Sequence, residues 1–209
     1  MLGLPLALAA CSSAARSPRL TTPSGVDSRY VSMYGPLPNE RFPIPGIDVR
    51  RIDPRFLRQE VAYTGRESAG TIVVDTPNRF LYLVQSGGRA MRYGVGVGRE
   101  EALQFRGNAT IGRKAEWPRW TPTANMIRRE PARYEPYRAG LEGGLANPLG
   151  ARALYLYRNG RDTLFRLHGT TEPYTIGTNV SSGCIRLMNH DIIDLYGRVS
   201  SGTRVVVLQ

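Results

Sequence analysis

The sequence predicts a mostly-β chain: an antiparallel sheet of short strands with one clear helix near the C-terminus. Three observations predict it. Short apolar runs, alternating or rich in β-branched and aromatic residues, recur over residues 71–98 and again over 153–167. Turn chemistry separates them, as in Asp75-Thr76-Pro77-Asn78 and Ser86-Gly87-Gly88. The 209 residues include 23 glycines and 15 prolines with no collagen period, a content that favours turns over helix.

The elements follow in order. Residues 1–10 form an apolar run, too short for a bilayer-spanning helix of about 20 residues, which excludes a multi-pass membrane protein. The run ends in small residues around Cys11, a secretory-signal pattern. Leu8-Ala9-Ala10-Cys11 also resembles a lipobox, in which Cys11 would carry a lipid, although no Lys or Arg precedes it. Residues 17–69, rich in Pro, Arg and Ser, read as a tether and extended lead-in with a helical candidate at 54–61. Strands are expected at 71–75, 79–84 and 89–98. The stretch 99–150 reads as loop around Trp117-Pro118-Arg119-Trp120-Thr121-Pro122, and a loop of that length in a compact domain is usually functional. Strands resume at 153–157 and 163–167. A helix spans 189–199, with Asn189 as N-cap, Asp191 favouring the positive helix start, and Ile192, Ile193, Leu195 and Tyr196 as its apolar face. A last strand covers 204–208. The organisation is a signal or lipoprotein-type segment at 1–16, the lead-in at 17–69, and a folded domain at 70–209.

Composition narrows the function. A hydrophobic content of 41% excludes a wholly disordered chain. Twenty-eight basic against 17 acidic residues give a net charge of +11, nearly all of it arginine, since Lys114 is the only lysine. Such a balance points to an anionic partner or to a solvated basic surface. The arginines are scattered, with no basic block longer than two residues and none of the aromatic interleaving of single-strand binders, so nucleic acid is not the expected partner.

Chemistry concentrates in two residue types that are rare here. If Cys11 is acylated or removed, Cys184 has no disulfide partner. An unpaired thiol in an exported chain is either reactive or buried and inert. A cysteine nucleophile needs a base that raises its thiolate fraction, donors for an oxyanion, and room for substrate. Gly183 allows close backbone approach, and the amides around Gly183 and Cys184 suit the oxyanion. Of the two histidines, His190 falls at the helix start, where the dipole disfavours an imidazolium, and reads as solvated. His168 ends a strand beside Gly169, sixteen positions before Cys184, and is the favoured base.

These residues resemble a known family. His168-Gly169-Thr170, then Ile176-Gly177, then Ser181-Ser182-Gly183-Cys184-Ile185-Arg186-Leu187-Met188-Asn189 is similar to the signature of the L,D-transpeptidases, the cysteine-dependent cross-linking enzymes of bacterial peptidoglycan. The likeness extends to Asn147-Pro148-Leu149-Gly150-Ala151-Arg152, to the Trp117-Pro118 segment and to the hairpin at 75–83, so that roughly residues 70–208 are covered.

The resemblance implies a β-sandwich-like catalytic domain with a short helix after Cys184. Cys184 would attack the carbonyl of the third stem-peptide residue of a donor tetrapeptide and release the terminal D-alanine. An amine acceptor on a second stem would resolve the thioester, giving a 3→3 cross-link. His168 would act as base and then acid, oriented through the main-chain carbonyl of Gly169. Arg186 would hold the loop or a substrate carboxylate, and Ser181, Ser182, Gly183 and Asn189 would support the loop or bind substrate. No cofactor or metal is implied, and the membrane would be met only through a lipid on Cys11. A periplasmic or cell-envelope location follows, where arginines suit carboxylates and a polyanionic wall. Trp117 and Trp120 would line substrate or pack in the core. The same thioester also serves hydrolysis, as an L,D-carboxypeptidase, or attachment of an envelope protein. A non-catalytic wall-binding module is the reading from another class.

Overall fold

The computed structural model describes residues 25–99, 105–181 and 183–208. The segment 1–16, Cys11 and Ser182 therefore lie outside the described residues.

The expected β architecture is observed as one nine-stranded sheet. Its strands are β1 (Gln59–Ala62), β2 (Ile72–Asp75), β3 (Phe80–Gln85), β4 (Arg89–Gly94), β6 (Gly107–Glu116), β7 (Arg152–Arg158), β8 (Arg161–His168), β10 (Ile185–Arg186) and β11 (Arg204–Leu208), in the order β1-β4-β3-β2-β11-β6-β7-β8-β10. A two-stranded ladder joins β5 (Val97–Gly98) to β9 (Asn179–Ser181). Strands β2, β3, β7 and β8 arise where apolar runs and turn residues predict them. The sheet is mixed rather than purely antiparallel: β11 lies parallel to β2, β10 to β8 and β5 to β9. The C-terminal strand is thereby central, between β2 and β6.

One apolar face closes on itself. Ile72, Leu81 and Tyr93 from one half of the sheet share a buried cluster with Leu154, Leu167 and Ile185 from the other. The halves therefore face each other as in a sandwich, with Ile192 and Leu195 of helix α4 (Asn189–Arg198) in the same core. The main chain also joins near the far edge, where Gly96 exchanges hydrogen bonds with Arg186 of β10 (2.9 and 2.8 Å).

Four local expectations are corrected. The stretch 99–150 contains the ten-residue β6 as well as the short helices α2 (Ala124–Arg129) and α3 (Pro131–Tyr134). In β6 only Ala109 and Ile111 are buried, so Gly107-Asn108-Ala109-Thr110-Ile111-Gly112-Arg113-Lys114 carries little apolar alternation to announce a strand. The helical candidate 54–61 is a single 3-10 turn, Pro54–Phe56, capped by Asp53, followed by β1 on the edge of the sheet. Asn189 is the first residue of α4 rather than its cap. Met188 is the N-cap and its thioether makes no capping bond, while the Asn189 carboxamide accepts from the Ala151 amide. His190 is buried rather than solvated.

The lead-in from residue 25 is part of the folded unit. Helix α1 (Ser28–Met33) ends at Tyr34, which is fully buried in a second cluster with Phe56, Ile176 and Met188. The Tyr34 hydroxyl donates to Asp191 at the start of α4 and accepts from the Arg58 amide. Glu40 pairs with Arg152 (2.8 Å) and accepts from the Trp117 indole (3.0 Å). Trp117 is buried against Phe42, so it belongs to the core. Trp120 packs on Tyr134 and Tyr137.

Candidate active site

The site forms where β8 ends and β10 begins. These strands pair in parallel, with Leu167 opposite Ile185 and His168 opposite Arg186. Leu167 and Ile185 face the core. Side chains alternate along a strand, so His168 and Arg186 take the opposite face. Cys184 precedes β10 by one residue, and the register carried one step further sets it level with Arg166, whose backbone bonds the thiol. Cys184 and His168 are therefore diagonal neighbours across one strand pair, on the order of 8 Å apart at the backbone, a span that a thiol and an imidazole can bridge. Gly183 carries φ 130 immediately before the cysteine, a left-handed backbone that glycine alone adopts readily.

His168 is held on three sides. Its own carbonyl accepts from Leu187 (2.8 Å), and the following amide, Gly169, donates to Arg152 (3.1 Å). Its Nδ1 lies 2.6 Å from the Gly169 carbonyl. A carbonyl only accepts, so Nδ1 carries the proton and Nε2 keeps the lone pair that a base needs. The buried ring is pushed down to about 4, chiefly by desolvation, with the positive charges of Arg186 and Arg166 adding to the effect. His168 is thus a neutral imidazole throughout the physiological range.

Cys184 retains partial exposure. Dense packing around it pushes the thiol up, opposed by a backbone hydrogen bond from Arg166 and by the Arg166 charge. The resting pair is therefore thiol and neutral imidazole.

The other predicted residues divide by what they touch. Asn189 receives the Ala151 amide on Oδ1 (3.0 Å). A Cβ on Gly169 or on Gly150 would collide with that oxygen, so the three residues interlock behind His168. Arg186 turns away from solvent: its guanidinium reaches Glu172 (2.9 Å) and Thr175 (2.7 Å), and its Nε is buried without a partner. Arg186 therefore fastens the 172–175 turn that links the histidine to the cysteine. Ser181 ends β9, which pairs with β5.

Sequence reasoning missed Tyr34, Glu40 and Arg166 as neighbours of the site, and gave Arg152 no role beyond the resemblance. Nothing local marks Tyr34, Glu40 or Arg152, whose partners lie far away in the chain, whereas Arg166 pairs with Asp162 four residues before it. Among the described residues, no group of three His, Cys, Asp or Glu side chains is placed to hold a metal ion. No described helix is long and apolar enough to cross a membrane.

The mostly-β fold thus brings His168-Gly169 and Gly183-Cys184 to the adjoining ends of β8 and β10. The L,D-transpeptidase catalytic domain family, YkuD, matches residues 69–207, and the chain belongs to that family. The chain is 43% identical to the probable L,D-transpeptidase ErfK/SrfK of Escherichia coli K12 over 99 residues, covering 47% of this chain and 30% of that one. It spans 30–43% of the length of the first such curated relatives. A solved Brucella melitensis structure, named as a probable carnitine operon oxidoreductase CaiA, is 52% identical and covers 77% of this chain and 99% of its own, with a TM-score of 0.51. L,D-transpeptidase 3 of Mycobacterium tuberculosis, with a faropenem-derived adduct, shares the fold at 18% identity and a TM-score of 0.50, covering 66% of this chain and 60% of its own.

Proposed function

We propose that this protein is a peptidoglycan L,D-transpeptidase of the cell envelope that joins stem peptides through a thioester on Cys184. The observation that supports the reading is the register of β8 and β10, which pairs His168 with Arg186, two residues after Cys184. Nε2 of neutral His168 takes the thiol proton as sulfur attacks the carbonyl of the third donor residue. The tetrahedral oxyanion is met by amides around Gly183 and Cys184. His168 then protonates the departing D-alanine amine, and the thioester remains. An acceptor amine, deprotonated by the same ring, attacks the thioester and releases Cys184 with a 3→3 linkage.

A neutral base is the useful form here, because an imidazolium could not accept the first proton. The Gly169 carbonyl fixes the tautomer and stabilises the transient imidazolium. Asn189, Gly150 and Arg186 position the pair from behind. Cys11, as a lipidated residue, would tether the enzyme to a membrane surface.

Incubation of the purified protein with disaccharide tetrapeptide, followed by mass spectrometry, tests the reading. Cross-linked dimer from the wild type and none from Cys184→Ala is expected. A shortened, unjoined stem would move the assignment to L,D-carboxypeptidase. No covalent adduct and no product would overturn it.

A further inference from the structure

Two rows of side chains cross the outer face of the sheet. One is Ala115–Ala153–His168–Arg186, read through three successive strand pairings. The other, two residues away along each strand, is Arg113–Tyr155–Arg166, and carrying the β8–β10 register one residue beyond β10 continues it to Cys184. Arg113 and Tyr155 of the second row take no part in the proposed thioester chemistry.

Two irregularities build this row. Between Ile111 and Arg113, β6 gains one residue, Gly112, opposite β7. A Cβ on Gly112 would strike the Tyr157 ring, so only glycine fits there. Across the same part of β7, β8 gains two residues, and Leu164 takes φ 66 with its side chain exposed. Local bonds hold that bulge: the Leu164 amide donates to Asp162 (2.8 Å) and the Phe165 amide to Thr163 (3.2 Å). Bulges re-aim side chains, and they cluster beside active sites. Here they bring two guanidinium groups onto one ring: Arg113 lies 4.6 Å and Arg166 4.2 Å from the Tyr155 centroid.

The charges on this face are not equivalent. Arg166 is clamped in a fork by Asp162 (2.6 and 2.8 Å), and Arg186 is paired with Glu172. Arg113 is exposed and has no carboxylate within ion-pair distance among the described residues. Stacking on Tyr155 orients its planar fork while leaving the donor edge open.

We infer that the Arg113–Tyr155–Arg166 row is a subsite for a carboxylate of the acyl donor, with Arg113 as the residue that reads it. The inference rests on the L,D-transpeptidase reading and names a specificity determinant for it. Neighbouring strands lie about 4.8 Å apart, so a guanidinium above Tyr155 stands two spacings, about 10 Å, from the Cys184 backbone. A peptide advances about 3.5 Å per residue at full extension. The group read is then well removed from the scissile carbonyl, which favours the side-chain carboxylate of the third, diamino-acid residue over that of the departing D-alanine. Arg166 stays fixed by Asp162 and supplies positive potential between the two.

Calorimetric titration of the Cys184→Ala protein, with and without Arg113→Gln, tests this without turnover. The ligands are the disaccharide tetrapeptide, the same compound amidated on the side-chain carboxylate of residue three, and the same compound amidated at the C-terminus. Arg113→Gln is expected to weaken the free-acid ligand about tenfold, as loss of a charge-assisted hydrogen bond does. It should have no effect on the side-chain amide, and Arg113→Lys should recover part of the loss. If the C-terminal amide alone cancels the effect, the subsite reads the leaving residue's carboxylate. Equal losses for all three ligands, or none, with an unchanged Tm, would overturn the subsite and leave the transpeptidase reading intact. Failure of the Cys184→Ala protein to bind any of the three would overturn both.

Discussion

The two histidines stand in closely similar settings and meet different neighbours. His168 closes β8 and His190 opens α4. Both are buried, and both bond a backbone carbonyl through one ring nitrogen, at 2.6 Å to Gly169 and 2.7 Å to Gly35. Burial pushes both down, so both are neutral near pH 7. The difference lies in what faces the other nitrogen and in which segment supplies the carbonyl. For His168 the carbonyl is its own neighbour's, and Cys184 immediately precedes the adjoining strand β10. For His190 the carbonyl belongs to the lead-in, the ring packs on Tyr34 at 5.7 Å, and Nδ1 is buried without a partner. A depressed histidine is therefore not by itself a sign of catalysis; its neighbours decide.

The largest effect expected from this comparison is a separation of activity from stability. His168→Ala should lower the rate of thioester formation by about 10²–10⁴-fold while shifting the Tm little. His190→Ala should keep the rate within a few-fold and lower the Tm by several degrees. Acylation kinetics beside thermal melts read both, and matching outcomes for the two variants would erase the distinction.

Next in size is the tie between the lead-in and the sheet. Glu40→Gln leaves Arg152, a buried residue, without its main carboxylate, and breaking such a pair costs about 3 kcal/mol. A lower urea midpoint with acylation retained is expected. An unchanged midpoint would show the lead-in to be an ornament rather than a part of the fold.

The pH response sharpens the His168 side. A base pushed down to about 4 remains deprotonated at pH 5–8, so acylation should not show the usual histidine limb near 6.5 and should fall only as pH drops toward 4. Cys184, pushed up by burial, should alkylate with iodoacetamide more slowly than a free thiol at pH 7 and gain rate at alkaline pH. A limb near 6.5 in a protein that is still folded would count against the neutral-base assignment.

The smallest effect concerns the His190 side. Asp191, fully buried against Tyr34, is pushed up to about 7, chiefly by desolvation. Its folded pKa lies above its unfolded value, so its contribution is fully present below about pH 4 and is lost as pH rises through 7. His190, depressed, acts in the opposite sense and loses its contribution as pH falls below its unfolded value. Asp191→Asn should flatten the decline in Tm between pH 5 and 8. An unaltered slope would show that Arg58, 3.9 Å away, keeps the carboxylate charged.

Much was readable from the chain alone. Strands β2, β3, β7, β8 and β11 follow from apolar runs bounded by turn residues, and the face of α4 from Ile192, Leu195 and Tyr196. The His168 and Cys184 motif identified the family, because such signatures are local strings of residues. Tertiary structure alone decided the rest. Strand β6 has too few apolar residues to signal itself and exists because β11 and β7 flank it. The burial of His190, the fastening of Arg186 to the 172–175 turn and the row that ends at Cys184 all depend on register between distant segments. Register is set by which faces can be buried together, a property of the whole sheet that no single stretch of sequence carries.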